Sequence, residues 1–182
     1  PGCVMRFTVD RNYVTSILAD LVRIDSTNPL CTESGAGEAE IAAYVRDELR
    51  GLGLEVTTYE PEPGRVTVVG RLKGTGKGRS LLLNAHTDTV GVEGMAEPFS
   101  GRIDRDKLYG RGAYDTKGGL AATIAAARAL VDVGFAPGGD LFVAAVALSL
   151  GGWEGWGWWT VGRRLVATED AYVGADFAIL AP

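Results

Sequence analysis

Residues 81–90 read LLLNAHTDTV. An apolar run of strand length leads to His86, the only histidine of the chain, and Asp88 follows two positions later. Open α/β sheets bind ligands beyond the carboxyl ends of their strands, so this stretch predicts a fold and a site together. In extended backbone, residues two apart face the same side. The imidazole of His86 and the carboxylate of Asp88 can therefore share one site. A neutral imidazole is a good Zn²⁺ ligand, and a nearby carboxylate can orient it and fix its tautomer. Taken alone, the segment fits a plain histidine at a strand end equally well.

The flanking sequence supplies the rest of an α/β pattern. Val14, Ile17, Leu18, Leu21 and Val22 recur at helical spacing and predict a helix over 10–24, capped by Asp10 or Thr8. Pro29 biases Asn28 away from the helical region and closes that segment. Ile41, Val45, Leu49 and Leu52 predict a second helix over 38–50, with Gly51 and Gly53 as stop signals. Strands are predicted over 54–59, 66–72 and 81–85. The glycine-rich turn at 74–78 lacks the Gly-Lys-[Ser/Thr] ending of a phosphate loop. Residues 116–133 read as an Ala-rich helix, 141–148 as a strand buried on both faces, 163–171 as a helix and 176–180 as a last strand. The alternation predicts an α/β fold: a mixed, mostly parallel sheet with helices on both faces, in a single domain over 1–182.

Composition narrows the classes of function. The 182 residues carry a net charge of −5 and a pI near 4.9, without a Lys/Arg cluster, so a nucleic-acid partner is not expected. Cys3 and Cys31 make no disulfide framework, and a cytoplasmic setting is the expectation. The longest apolar run, 141–148, is too short for a bilayer core of ~30 Å, so no membrane partner is expected.

A second motif, LYGRGAYDTKGGL, occupies 108–120. Gly110 and Gly112 permit unusual backbone dihedrals. Asp115 falls at the mouth of the next predicted helix, where the dipole stabilises a carboxylate able to bridge two cations. An N-cap Asp after a glycine turn fits there too. Taken together, HTDTV at 86–90, PFSG at 98–101 and LYGRGAYDTKGG at 108–119 resemble the co-catalytic zinc peptidases of the M20 family. Acetylornithine deacetylase, succinyl-diaminopimelate desuccinylase and glutamate carboxypeptidase belong to that family. LVRIDSTNP at 21–29 resembles the family's N-terminal helix end. The resemblance covers roughly residues 10–148 and resumes weakly at 163–181. It implies a zinc-peptidase-like catalytic domain, incomplete here and without the family's smaller lid domain.

The resemblance implies that His86 is a ligand of one metal ion and that Asp115 bridges two. It makes Asp88 the catalytic-site carboxylate that hydrogen-bonds His86 and sharpens its basicity, and it makes the 115–116 peptide a candidate for the cis form. The implied cofactor is two Zn²⁺ ions, with Co²⁺ or Mn²⁺ as alternatives. The implied reaction is hydrolysis of an amide bond in a small N-acyl amino acid or peptide, with a glutamate taking a proton from water. That glutamate should open a Glu-Glu pair just after the strand at 141–148, with a later acidic residue and a late histidine completing the ligands.

This sequence departs from that pattern. Residues 147–159 read ALSLGGWEGWGWW, so Ser149 and Leu150 stand where the pair is implied and Glu154 is the nearest carboxylate. Ala181 is followed directly by Pro182 with no acidic residue between, and His86 has no later counterpart. His86 and Asp115 alone should bind metal weakly, with partial occupancy, and the chain as written should lack activity. Three accounts of the stretch stand side by side. It is a local shift of reading frame, an inactive or truncated relative, or a platform on which Trp153, Trp156, Trp158 and Trp159 stack a sugar or peptide. The alternative to a hydrolase is a non-catalytic binding or assembly fragment with a vestigial metal site, for which self-association is an expectation.

Overall fold

The side chain of Asp10 starts the first helix. Its Oδ1 accepts from the backbone N–H of Asn12 and Tyr13 at 2.9 and 3.2 Å, and α1 runs over Arg11–Arg23. In the computed structural model, residues 6–147 and 166–167 are described. The second helix, α2, covers Ala39–Gly51. Glu38 stands at its N-cap but makes no capping hydrogen bond there, because its carboxylate turns inward. A third helix, α3, covers Gly119–Asp132.

Among the described residues there are seven strands, in chain order β1 Glu55–Glu62, β2 Arg65–Leu72, β3 Leu81–His86, β4 Arg102–Asp104, β5 Lys107–Tyr109, β6 Leu141–Val146 and β7 Val166–Ala167. The main sheet has the order β1-β2-β6-β3-β7, and β4 and β5 form a separate hairpin. β1/β2 and β2/β6 are antiparallel, whereas β3 runs parallel to both β6 and β7. The α/β class and the mixed sheet agree with the sequence reading, and the parallel pairings gather around β3, the strand that carries His86.

Register places the core. Val68, Gly70 and Leu72 lie opposite Ala145, Val143 and Leu141, and Leu83 and Ala85 continue that face across β3. Val68, Val143, Ala145 and Ala85 pack in one cluster with Ile17, Leu21 and Val22 of α1, with Ile41, Val45 and Leu49 of α2, and with Leu120, Ile124 and Ala127 of α3. A Cβ on Gly70 would meet Leu49 Cδ1 at 2.9 Å, so α2 rides directly on β2 at the glycine. Among the described residues, no helix is long and apolar enough to cross a membrane.

Two expectations are corrected, and one element is added. The third helix begins at Gly119 rather than at 116, because Asp115 (φ −114°, ψ 98°) and Thr116 (φ −127°, ψ 23°) leave helical geometry in the six-residue turn Ala113–Gly118. The helix expected over 163–171 is contradicted at Val166–Ala167, which pair as a strand with Leu81 and Leu82 and so satisfy backbone groups on the open side of β3. The hairpin β4–β5 was not expected. The remainder of 163–171, the strand at 176–180, the positions Ser149, Leu150 and Glu154, and the four tryptophans lie outside the described residues.

Candidate metal centre

His86 is the last residue of β3, at the carboxyl end of the parallel strands. Its main chain is held from two sides. The backbone N–H of Thr87 donates to Val146 O at 2.9 Å, and Thr116 Oγ1 donates to His86 O at 2.9 Å. That second bond ties the strand end to the turn carrying Asp115, whose peptide bond to Thr116 is cis. Gly112, at φ +77°, opens the turn, and a Cβ there would meet Thr89 Cγ2 at 2.6 Å. The turn is further pinned by Lys117, which is fully buried and donates from Nζ to Ile24 O at 2.8 Å. Burial pushes that ammonium down to about 8, against the pull of Asp25.

The three residues expected to form a site come together. His86 Nδ1 lies 3.0 Å from the main-chain O of Asp88 and 3.5 Å from its Oδ1. His86 Nε2 lies 3.1 Å from Asp115 Oδ1. Asp115 does not cap α3: it faces the imidazole, and its side chain is 76% exposed. The Asp88 carboxylate, more than Asp115, holds the imidazole up to about 9 against the opposing effect of burial. Both acceptors near Nδ1 fix the proton there in the neutral ring. The Nε2 lone pair and Asp115 Oδ1 then face each other as two electron-pair donors, and something positive must lie between them. A proton fills that place when the ring is charged, and a metal cation suits the same geometry.

That donor pair fits part of a metal site. Among the described residues, no group of three or more His, Cys, Asp or Glu is placed to hold an ion. A complete site takes three protein ligands and an open position, or four ligands. The pair opens on a cavity of about 760 Å³ whose wall includes Cys31, Glu93, Arg111 and Tyr114. The Nε of Arg111 is buried and has no hydrogen-bond partner.

Behind Asp88 lies a buried polar chain that sequence reasoning did not single out. Asn28 Nδ2 donates to Asp88 Oδ2 at 2.9 Å. Asn28 Oδ1 accepts from Arg65 Nη1 at 2.7 Å and from the backbone N–H of Leu30 at 2.9 Å. The same Arg65 nitrogen lies 3.0 Å from Glu38 Oε1, within ion-pair distance although not aligned as a hydrogen bond. Glu38 is 0% exposed, Arg65 4% and Asn28 5%. Burial raises the Glu38 carboxyl, and Arg65 only partly offsets it. Charges at a helix start and a strand start usually read as solvated, so their pattern carried no signal. The Asn-Pro at 28–29 was the one available hint, as the closing signal of the first helix.

Residues 82–147 match the model of peptidase family M20/M25/M40. Carboxypeptidase G2 of a Pseudomonas species is 38% identical over 118 residues, covering 61% of this chain and 28% of that protein. N-formyl-4-amino-5-aminomethyl-2-methylpyrimidine deformylase of Halalkalibacterium halodurans is 33% identical over 144 residues, 76% of this chain and 33% of that one. Succinyl-diaminopimelate desuccinylase of Gluconobacter oxydans is 35% identical and covers 65% of this chain and 30% of its own. The chain thus spans about a third of the length of these relatives. Human carnosine dipeptidase 1 shares the fold with a TM-score of 0.63 at 20% identity, over 75% of this chain and 32% of that chain. An M20 family metallo-carboxypeptidase from Sulfolobus solfataricus does so at 0.62 and 24%, over 76% and 31%.

Proposed function

Because this chain is the N-terminal portion of an M20 family metallopeptidase, we propose that its His86–Asp115 pair is part of a two-metal site for hydrolysing an amide bond in a small N-acyl amino acid or peptide. The observation that carries this reading is the 3.1 Å approach of His86 Nε2 to Asp115 Oδ1 at the mouth of the 760 Å³ cavity. Zn²⁺ bound there would polarise a scissile carbonyl and lower the pKa of water. The residues of this chain have separable tasks. His86 offers the Nε2 lone pair, and Asp88 keeps the proton on Nδ1. Asp115 offers an exposed carboxylate with room for a second cation. Arg111 places a positive charge in the cavity wall, the sign that the carboxylate of an N-acyl amino acid requires. A cytoplasmic setting is part of the same proposal.

The described residues hold too few donors for turnover. Two donors leave a cation loosely held, and the described residues bring no third. That observation favours the second reading, a non-catalytic binding fragment that keeps a weak metal site. Calorimetric titration of the chain with Zn²⁺ tests the location. We expect weak binding that falls by more than about ten-fold in His86→Ala, ten-fold being the least that loss of a mere supporting residue costs. Binding unchanged in His86→Ala would refute the assignment.

A further inference from the structure

Glu38, Arg65 and Asn28 form a buried polar set, and none of its members lines the cavity. Burying an ion pair is costly, and replacing one by apolar residues is often neutral or stabilising. Such a pair, linked through Asn28 to the carboxylate two residues beyond the end of β3, invites a functional reason. Both Oδ1 contacts of Asn28 come from donors, Arg65 Nη1 at 2.7 Å and Leu30 N at 2.9 Å. They leave only one amide orientation, with Nδ2 aimed at Asp88 Oδ2. Asp88 Oδ2 is thereby engaged, and Oδ1 is the oxygen left toward His86 Nδ1 at 3.5 Å.

We propose that Asn28 is a positioning residue, set by the buried Arg65–Glu38 pair, that aims the Asp88 carboxylate and so reinforces, beside the Asp88 main-chain O, the His86 tautomer whose Nε2 is free to bind a cation. For its purpose this inference rests on the reading of His86 as a metal ligand; for its test it does not. Glu38 holds the Arg65 guanidinium in place from the start of α2. Arg65 orients the Asn28 amide. Asn28 turns that orientation into a donor at one oxygen of Asp88. The backbone of Asn28 is moored independently of its side chain. Asn28 N donates to Thr89 O at 2.8 Å, Thr89 N donates to Ser26 O at 3.0 Å, and Ser26 Oγ donates to Thr87 O at 2.7 Å. The segment at 35–37 packs on it closely enough that a Cβ on Gly35 would meet Thr27 O at 2.6 Å. Asn28→Asp, which keeps an acceptor for Leu30 N, therefore leaves the chain path in place, and the same main-chain bonds hold residue 28 itself in Asn28→Ala.

His86 is the only histidine, so its ¹⁵N imidazole signals are unambiguous. The test is the tautomer ratio of the neutral ring in metal-free protein, read by long-range ¹H–¹⁵N correlation in alkaline solution. Asn28→Asp keeps the acceptor toward Arg65 and Leu30 but sets a second carboxylate against Asp88. Asn28→Ala removes both arms. In the parent chain we expect the Nδ1–H tautomer to dominate. In both variants we expect its ratio to Nε2–H to fall by several-fold, with Arg65→Lys intermediate. A purely structural role would lower thermal stability and leave the ratio alone. Parent-like ratios in whichever Asn28 variants fold, or in Arg65→Lys if neither does, would overturn the proposal. Absence of zinc binding in the parent chain would sink the metal reading without touching the tautomer result.

Discussion

Gly110 sets how closely the segment carrying the candidate bridging carboxylate approaches the core, and Gly110→Ala measures that contact. Its φ of +148° lies where side chains are strained. A Cβ built there would come within 2.3 Å of Val22 Cγ1, in the buried face of α1, and 2.8 Å of Pro98 O. Neither neighbour can yield easily. Val22 is 0% exposed, and Pro98 O accepts from the backbone N–H of Arg111 at 2.6 Å. Overpacking of this kind costs about 1–3 kcal/mol. The backbone conformation adds about 1–3 kcal/mol for a non-glycine residue. The sum, about 2–6 kcal/mol, lowers Tm by roughly 5–20 °C for a chain of this size. Gly76→Ala is the control, since Gly76 has φ +76° but nothing within 4 Å of the added Cβ, so only the backbone cost of about 1–2 kcal/mol applies. Thermal unfolding followed by circular dichroism compares the two. Melting of Gly110→Ala together with Gly76→Ala would refute the reasoning, because the steric component would then be absent.

Other outcomes follow from the same structure. Tyr13 donates to Glu48 Oε2 at 3.0 Å, and burial, with Glu48 second, pushes its phenol up to about 12. Its folded pKa lies above the unfolded value of about 10, so its contribution is complete below pH ~10 and is lost as pH rises toward ~12. That contribution is on the order of 2 kcal/mol for a partly buried group. Tyr13→Phe should flatten this alkaline decline in urea unfolding without abolishing it, since Tyr44 shifts the same way. A decline identical to that of the parent chain would contradict the assignment. Glu38→Ala removes the buried counterion of Arg65 and should cost about 3–5 kcal/mol in equilibrium unfolding; a loss below about 1 kcal/mol would show that the remaining partners of Arg65 suffice for its charge. The pair Ser149→Glu and Leu150→Glu restores the acidic residues that the family resemblance asks for. It should raise zinc affinity in a competition titration, and unchanged affinity would place those positions away from the cation.

The elements that the sequence made legible are those whose apolar spacing survives into the core. Ile17, Leu18, Leu21 and Val22 of α1 were read as one face and are buried together. The alternation in β2 and the run in β6 worked for the same reason. The hairpin β4–β5 escaped because Arg102, Ile103 and Asp104 are all exposed, so no core imposes a period on them. The start of α3 was misplaced because Asp115 and Thr116 leave helical geometry in a turn that two tertiary bonds hold in place. One is the Thr116 bond to His86 O, and the other is the Lys117 bond to Ile24 O. The site divides in the same way. His86, Asp88 and Asp115 were legible because glycines, a strand end and a helix approach frame them. Glu38, Arg65 and Asn28 were not, because a buried charge pair looks in sequence like two surface residues 27 positions apart (65 − 38). Only packing shows that they meet.

Zinc stoichiometry at saturation tests the central claim most directly: equilibrium dialysis of the purified chain, followed by elemental analysis of metal per polypeptide. A pair of donors formed by His86 and Asp115, with no third among the described residues, should leave fewer than one ion bound per chain after dialysis. Two tightly held ions per chain would contradict the account, and would mean that residues outside the described part complete the centre.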